Sequence, residues 1–130
     1  MKYLLDTNIL IDFFRNEPKG VKLITKIAKE GFAISAVTFA EYLVGCYKST
    51  NPEKNIDNFE NFLNSNNIPI IEIDLKIAYC YAKKLAHLEQ TGQKISGFDM
   101  LIAATAITNK LILVSSDRAF ERIKELETIS

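Results

Sequence analysis

Apolar positions along this chain alternate between short continuous runs and longer stretches at helical spacing. "KYLL" (2–5) predicts a strand, broken by Asp6-Thr7-Asn8. Apolar residues resume at once as Ile9, Leu10, Ile11, Phe13 and Phe14, predicting a helix over 8–16. Val21, Leu23, Ile24, Ile27 and Ala28 recur at near-helical spacing over 18–29, and Gly31 follows as a C-terminal glycine. "FAIS" (32–35) predicts a buried strand, with a helix over 38–48. Asn51-Pro52 starts the next helix, proline suiting the first helical position, and Asn66-Asn67 close it. "IPIIEI" (68–73) predicts a third strand, after which Asp74 caps a long helix ending near Gly92. The most apolar helix is expected at 96–109, a fourth strand at 111–115, a last helix at 118–126 and a short fifth strand at 127–129.

Strands alternating with helices predict an α/β fold, a parallel sheet of four or five strands covered on both faces. No linker, repeat or low-complexity tract interrupts the pattern, so residues 1–130 read as a single domain. Ligands of such sheets bind beyond the carboxyl ends of the strands, where the strand order reverses.

Composition narrows the partners. The chain is 48% hydrophobic with a formal net charge of +0, so no general basic surface announces nucleic-acid binding. If nucleic acid is handled, local geometry or metal ions must supply the attraction. Cys46 and Cys80 lack a CxxC spacing and fall within apolar helical patterns, which reads as free thiols in a reducing compartment. The first residues reach Asp6 too soon for a signal-peptide core, and no apolar run is of membrane-spanning length. A cytoplasmic location without membrane attachment is expected.

Four carboxylates fall where strands give way to helices. Asp6 follows strand one, Glu41 lies in the first turn after strand two ("TFAE"), Asp99 opens the apolar helix ("SGFD"), and Asp117 follows strand four ("SSDRAF"). Each has a local explanation. Thr38 with Glu41 spells a capping box, Ser96 with Asp99 resembles one, and Asp6 and Asp117 each suit a helix N-cap. Their joint placement adds something, because helices after parallel strands all begin at the same edge. Like charges gathered there raise each other's pKa or demand a cation.

Little else offers chemistry. His87 is the one histidine and lies mid-helix, and no GxSxG, HExxH, Walker or GxGxxG pattern occurs. An all-oxygen acidic site suits Mg²⁺ or Mn²⁺. Such ions act typically on phosphates, activating water and stabilising the leaving oxygen.

Together "LLDTNILID", Thr38-x-x-Glu41, "FDMLIAATA" (98–106) and "LVSSDRAF" (113–120) resemble the PIN-domain ribonucleases, and most nearly the VapC-type toxins of toxin–antitoxin pairs. The blocks stand in the family's order across essentially the whole chain. The resemblance implies a PIN-like three-layer fold and Mg²⁺- or Mn²⁺-dependent hydrolysis of RNA. It also implies a homodimer and a cognate antitoxin. By position, Asp6 and Asp99 would be the principal metal ligands, Glu41 and Asp117 would complete the acidic set, and Asn8 and Ser115 would line the site. Ser115 stands where threonine is common, keeping the hydroxyl.

Lys94 and Arg118 lie near the acidic rim in sequence and are candidates for RNA phosphate, although solvated surface cations would look the same. Asp12 reads as solvated, and Asp74 as a helix cap. The helices at 8–16 and 38–48 carry more apolar positions than one stripe needs, pointing to a partner surface. Two other functions remain open: a non-catalytic RNA- or partner-binding module, and a phospho-accepting receiver domain. The receiver is disfavoured because Asp6 has no adjacent acid and no lysine follows the last strand.

Overall fold

The computed structural model describes residues 1–130. Five short strands form one parallel sheet: β1 (Tyr3–Leu5), β2 (Phe32–Ser35), β3 (Ile70–Ile71), β4 (Ile112–Val114) and β5 (Thr128–Ile129). Their order is β3-β2-β1-β4-β5. The chain builds outward from β1 to β3, crosses back to the other side of β1, and finishes with β4 and β5. The switch point therefore lies between β1 and β4, while β3, and with it Asp74, sits at the edge. A receiver-type sheet has the order 2-1-3-4-5, so that alternative ends here.

Six helices cover the sheet: α1 (Thr7–Phe14), α2 (Pro18–Ile27), α3 (Ala36–Tyr47), α4 (Pro52–Ser65), α5 (Leu75–Gln90) and α6 (Gly97–Thr108). Side chains alternate across each strand and divide the core in two. Leu4, Ala33 and Leu113 face α5 and α6, with Met100, Ile102, Ala103, Ala104 and Ala106. Tyr3, Leu5, Phe32, Ile34 and Val114 face the other way, with Ile9, Leu10, Leu23, Ile27 and Phe59. The alanines leave α6 apolar nearly all round and buried, as its uniform sequence requires.

The surplus apolar positions of α1 are covered from within. Phe14 packs edge-on against Phe13, Phe59 and Phe62 and lies beside Tyr42 of α3. On α3 part of the surplus stays outside, at Val44 and Tyr47. Asp12 is half-buried rather than solvated. Its Cβ abuts Gly20, where an added methyl group would lie 2.7 Å from Asp12 Cβ and 2.8 Å from the Phe13 backbone nitrogen. Only glycine lets α2 lie that close to α1.

Two predicted elements differ. The third strand keeps only two residues because its neighbours are engaged by helix ends. Ile68 donates its N–H to the Leu63 carbonyl to close α4, and the Asp74 carboxylate accepts from Ile77 N–H to open α5. The expected helix at 118–126 is instead a 3₁₀ turn, Arg118–Arg122, followed by a further tight turn. Phe120, Ile123 and Leu126 explain this. They recur every third residue, which puts them directly in line at three residues per turn. All three pack into the α6 core, and Ile123 and Leu126 each bond to the carbonyl three residues back. Cys46 is buried and Cys80 half-buried, both as free thiols, and His87 is exposed on α5. No helix is long and apolar enough to cross a membrane.

Candidate active site

Asp6 is carried by the sheet itself. Its backbone N–H still donates to the Val114 carbonyl of β4 at 3.0 Å, after which the chain turns into α1. The residue is only 4% exposed. One carboxylate oxygen accepts from Thr7 N–H at 2.8 Å, which caps α1, and the other from the Ser115 hydroxyl at 2.8 Å. The same Ser115 oxygen accepts from Asp117 N–H at 3.1 Å. A single buried serine thus joins the ends of the two central strands.

Asp117 is exposed and caps the 3₁₀ turn, accepting from Ala119 N–H at 2.9 Å. Asp99 is half-buried in the first turn of α6, its N–H donating to Ser96 Oγ at 3.1 Å. Burial pushes the Asp6 carboxyl above the ordinary aspartate range, the bonds from Ser115 and Thr7 oppose this, and the charges of Asp99 and Asp117 add to it. Asp99 is likewise raised, first by burial, against the Ser96 hydroxyl, and further by Asp117. These three acids therefore share one electrostatic field.

Glu41 enters by another route. The sequence reading made Thr38 the N-cap of its helix, but α3 begins earlier. Ser35 is the cap, its hydroxyl accepting from Thr38 N–H at 3.0 Å. Thr38 is thereby inside the helix, and Glu41 lies too far along to complete a capping box. Instead Thr7 Oγ1 donates to Glu41 Oε1 at 2.6 Å. That uses the only Thr7 hydroxyl proton, so Thr38 must donate to Thr7 across their 3.0 Å contact, and Ser35 donates to Thr38 at 3.3 Å. Three buried hydroxyls point in series at one carboxylate, each polarising the next. Thr7 and Ser35 were not singled out from the sequence; the pattern "DT" beside "SAVT" was their only trace.

Asn8 is exposed on the second residue of α1, and its side chain makes no hydrogen bond. Lys94 lies in the α5–α6 loop with its ammonium unpaired, while its carbonyl accepts from the Arg122 guanidinium. Arg118 is exposed beside Asp117 and pairs with no carboxylate. The structure thus brings Asp6, Ser115 and Asp117 together by hydrogen bonds, sets Asp99 within their electrostatic reach, and ties Glu41 to Thr7.

The acids do not close into a cage: no three carboxylate, imidazole or thiol side chains gather tightly enough to enclose an ion. The tight four-acid cluster expected from sequence is instead an open arrangement. Asp6 and Asp99 supply hard oxygen donors whose like-charge field a cation would relieve.

The sequence pattern of the PIN domain matches residues 3–126. The chain belongs to the PIN-domain family. This PIN domain is 33% identical to the tRNA(fMet)-specific endonuclease VapC of Shigella flexneri, over 98% of this chain and 96% of that one. It is 35% identical to ribonuclease VapC2 of Haemophilus influenzae, again over 98% and 96%. Among solved structures it is similar to VapBC2 of Rickettsia felis bound to a promoter DNA fragment, with a TM-score of 0.87, 32% identity and 99% and 98% of the two chains covered. DNA-bound VapBC of Salmonella typhimurium superimposes with a TM-score of 0.88 at 28% identity, over 99% and 97% of the two chains. The five-stranded parallel sheet is the PIN-like three-layer fold that the sequence led us to expect.

Proposed function

We propose that this PIN domain is a metal-dependent endoribonuclease, the toxin of a toxin–antitoxin pair, hydrolysing RNA phosphodiester bonds. The observation that carries the reading is the joining of Asp6 and Asp117 through Ser115 at the switch point, with Asp99 near enough for its charge to act on Asp6. The three acids come from three separate segments and sense one another's charge. Full-length similarity to named ribonucleases supports the same reading.

Asp6 and Asp99 would hold Mg²⁺ or Mn²⁺, with Asp117 and Glu41 completing the acidic wall. When bound, the ion supplies an activated water and neutralises charge on the phosphate. Ser115 and Thr7 keep the Asp6 carboxylate in one orientation. The hydroxyl series ending at Glu41 orients that carboxylate through Thr7, the residue next to Asp6. Asn8 is free to donate to a phosphate oxygen and Lys94 to the flanking backbone, while Arg118 lines a notch beside Asp117.

A partner surface has the material it needs in Val44, Tyr47, Leu75, Tyr79 and Phe98, all exposed and apolar. We assign the partners as an antitoxin and a second copy of the chain. The test of activity is direct: purified protein with total RNA, first with Mg²⁺ or Mn²⁺, then with EDTA. Internal cleavage that EDTA stops is the expected result. Intact RNA with metal present and antitoxin absent would favour a binding module.

A further inference from the structure

The turn that replaced the expected last helix creates a second feature beside the acids. In a 3₁₀ turn the side chains at i and i+3 eclipse, so Arg118 and Glu121 stand on one face. Both are exposed, yet they form no ion pair with each other. They line a notch of about 350 Å³ between the end of β4, the 3₁₀ turn and β5, with Ser116, Asp117 and Thr128. Of its eight lining residues only one, Ile129, is apolar. Ser115 and Asp117 form the wall that the notch shares with the acidic rim.

We propose that this notch is a base-recognition subsite that reads a guanine next to the scissile phosphate, with Glu121 and Arg118 as the specificity residues. The inference rests on the nuclease reading above. A phosphate is the wrong occupant, because Glu121 and Asp117 would repel it. Two carboxylates, Asp117 and Glu121, beside one guanidinium, Arg118, call for a ligand without negative charge that carries both donors and acceptors. Unstacked RNA bases are read in this way along their Watson–Crick and Hoogsteen edges. Guanine alone presents two adjacent N–H donors, N1–H and the 2-amino group, to a carboxylate fork. It also presents O6 and N7 to a guanidinium. Adenine and cytosine place a bare ring nitrogen beside their single amino group, which a carboxylate repels. Uracil offers one N–H between two carbonyls. The volume suits a single base and falls at the small end of ligand pockets, roughly 300–1,000 Å³.

Two measurements test this, and they separate the subsite from the nuclease reading. In the first, guanosine, inosine and adenosine monophosphates are titrated into ¹⁵N-labelled protein. Guanosine monophosphate should shift the amides of Ser116, Arg118 and Glu121. Inosine monophosphate, lacking the 2-amino group, should bind roughly five- to hundredfold more weakly, and adenosine monophosphate should leave those amides in place. In the second, the ends of RNA cut in Mn²⁺ are mapped for wild type, Glu121→Gln and Arg118→Gln, whose exposed positions leave folding intact. Wild-type cuts should cluster beside guanine, and Glu121→Gln should erase that preference while still cutting. Cleavage with the same base preference in wild type and Glu121→Gln, and no amide shifts, overturns the subsite and leaves the nuclease reading standing. Guanosine binding at the notch in a protein that cuts no RNA upholds the subsite and removes the nuclease reading.

Discussion

The acidic rim has two unlike halves. Asp6 and Glu41 are held from inside the fold: each receives a hydroxyl hydrogen bond from a buried residue, Ser115 for one and Thr7 for the other. Asp99 and Asp117 stand at the outer side, half-buried and exposed, on short-range bonds to their own helix or turn. The inner pair, Asp6 buried and Glu41 half-buried, has its geometry set by these bonds before any ligand arrives, for Asp6 at the cost of desolvation. The outer half can adjust to an ion and a moving phosphate. A site that must bind a hydrated cation and release product gains from having both.

The largest expected effect comes from breaking the inner half at its charge. Asp6→Asn should reduce cleavage by more than the roughly 10- to 100-fold that loss of a ligand's supporting partner costs, and should relieve growth inhibition on expression. Asp99→Asn should do the same, whereas Asp117→Asn, on the exposed side, should lose less. Cleavage assays rank the three; wild-type rates in Asp6→Asn or Asp99→Asn would remove the assignment. Next is the support. Ser115→Ala strips the hydroxyl from Asp6 and should cost roughly 10- to 100-fold in rate and about 1.5–3 kcal/mol in stability, the scale for a bond to a charged group. Ser115→Thr should restore most of both in the same rate and urea-unfolding measurements.

Metal then probes the two halves together. Binding to the folded state alone stabilises by about 2.7 kcal/mol at a hundredfold excess over Kd. Mn²⁺ should therefore raise the wild-type melting temperature, and far less in Asp99→Asn. Equal gains in both proteins would return Asp99 to a purely capping role. The smallest effect is that of pH without metal. Asp6 and Asp99 are raised in the fold above the unfolded value of about 3.9. Between that value and the raised ones the folded chain binds more protons, so stability should fall as pH rises through the window. Melting in EDTA across this range should show the slope, and Asp6→Asn should flatten it. Asp99→Asn should leave metal-free stability at neutral pH unchanged or slightly higher, since its backbone bond to Ser96 survives. A loss near 1 kcal/mol, the scale of a lost cap, would mean that capping outweighs repulsion.

Much of this was legible in the order of residues. The strands at 2–5, 32–35 and 111–115 appear where short apolar runs predicted them, and every predicted helix but the last forms. Helix ends were readable at Gly31, Asn67 and Gly92, all at positive φ. The end of α6, expected at 109, falls at Thr108 with Asn109 as its cap, and Lys110 takes the positive φ that follows. The capping box at Thr38–Glu41 misled, since the true cap, Ser35, belongs to an apolar strand pattern. The last helix misled because apolar residues three apart fit either helix type over so short a span. Only packing against α6 selected the tighter one.

Local pattern by itself determined the alternation of strand and helix, the burial of the strands and the placing of acids at helix starts. These follow from side-chain period and backbone capping, which act within a few residues. Tertiary structure decided which of those acids meet. Ser115 reaches Asp6 across 109 positions and Thr7 reaches Glu41 across 34. Those bonds exist because the strand order sets β4 and β2 on either side of β1. Hydrogen bonds of 2.6 and 2.8 Å tolerate no slip in that arrangement, and nothing in the neighbouring residues specifies it.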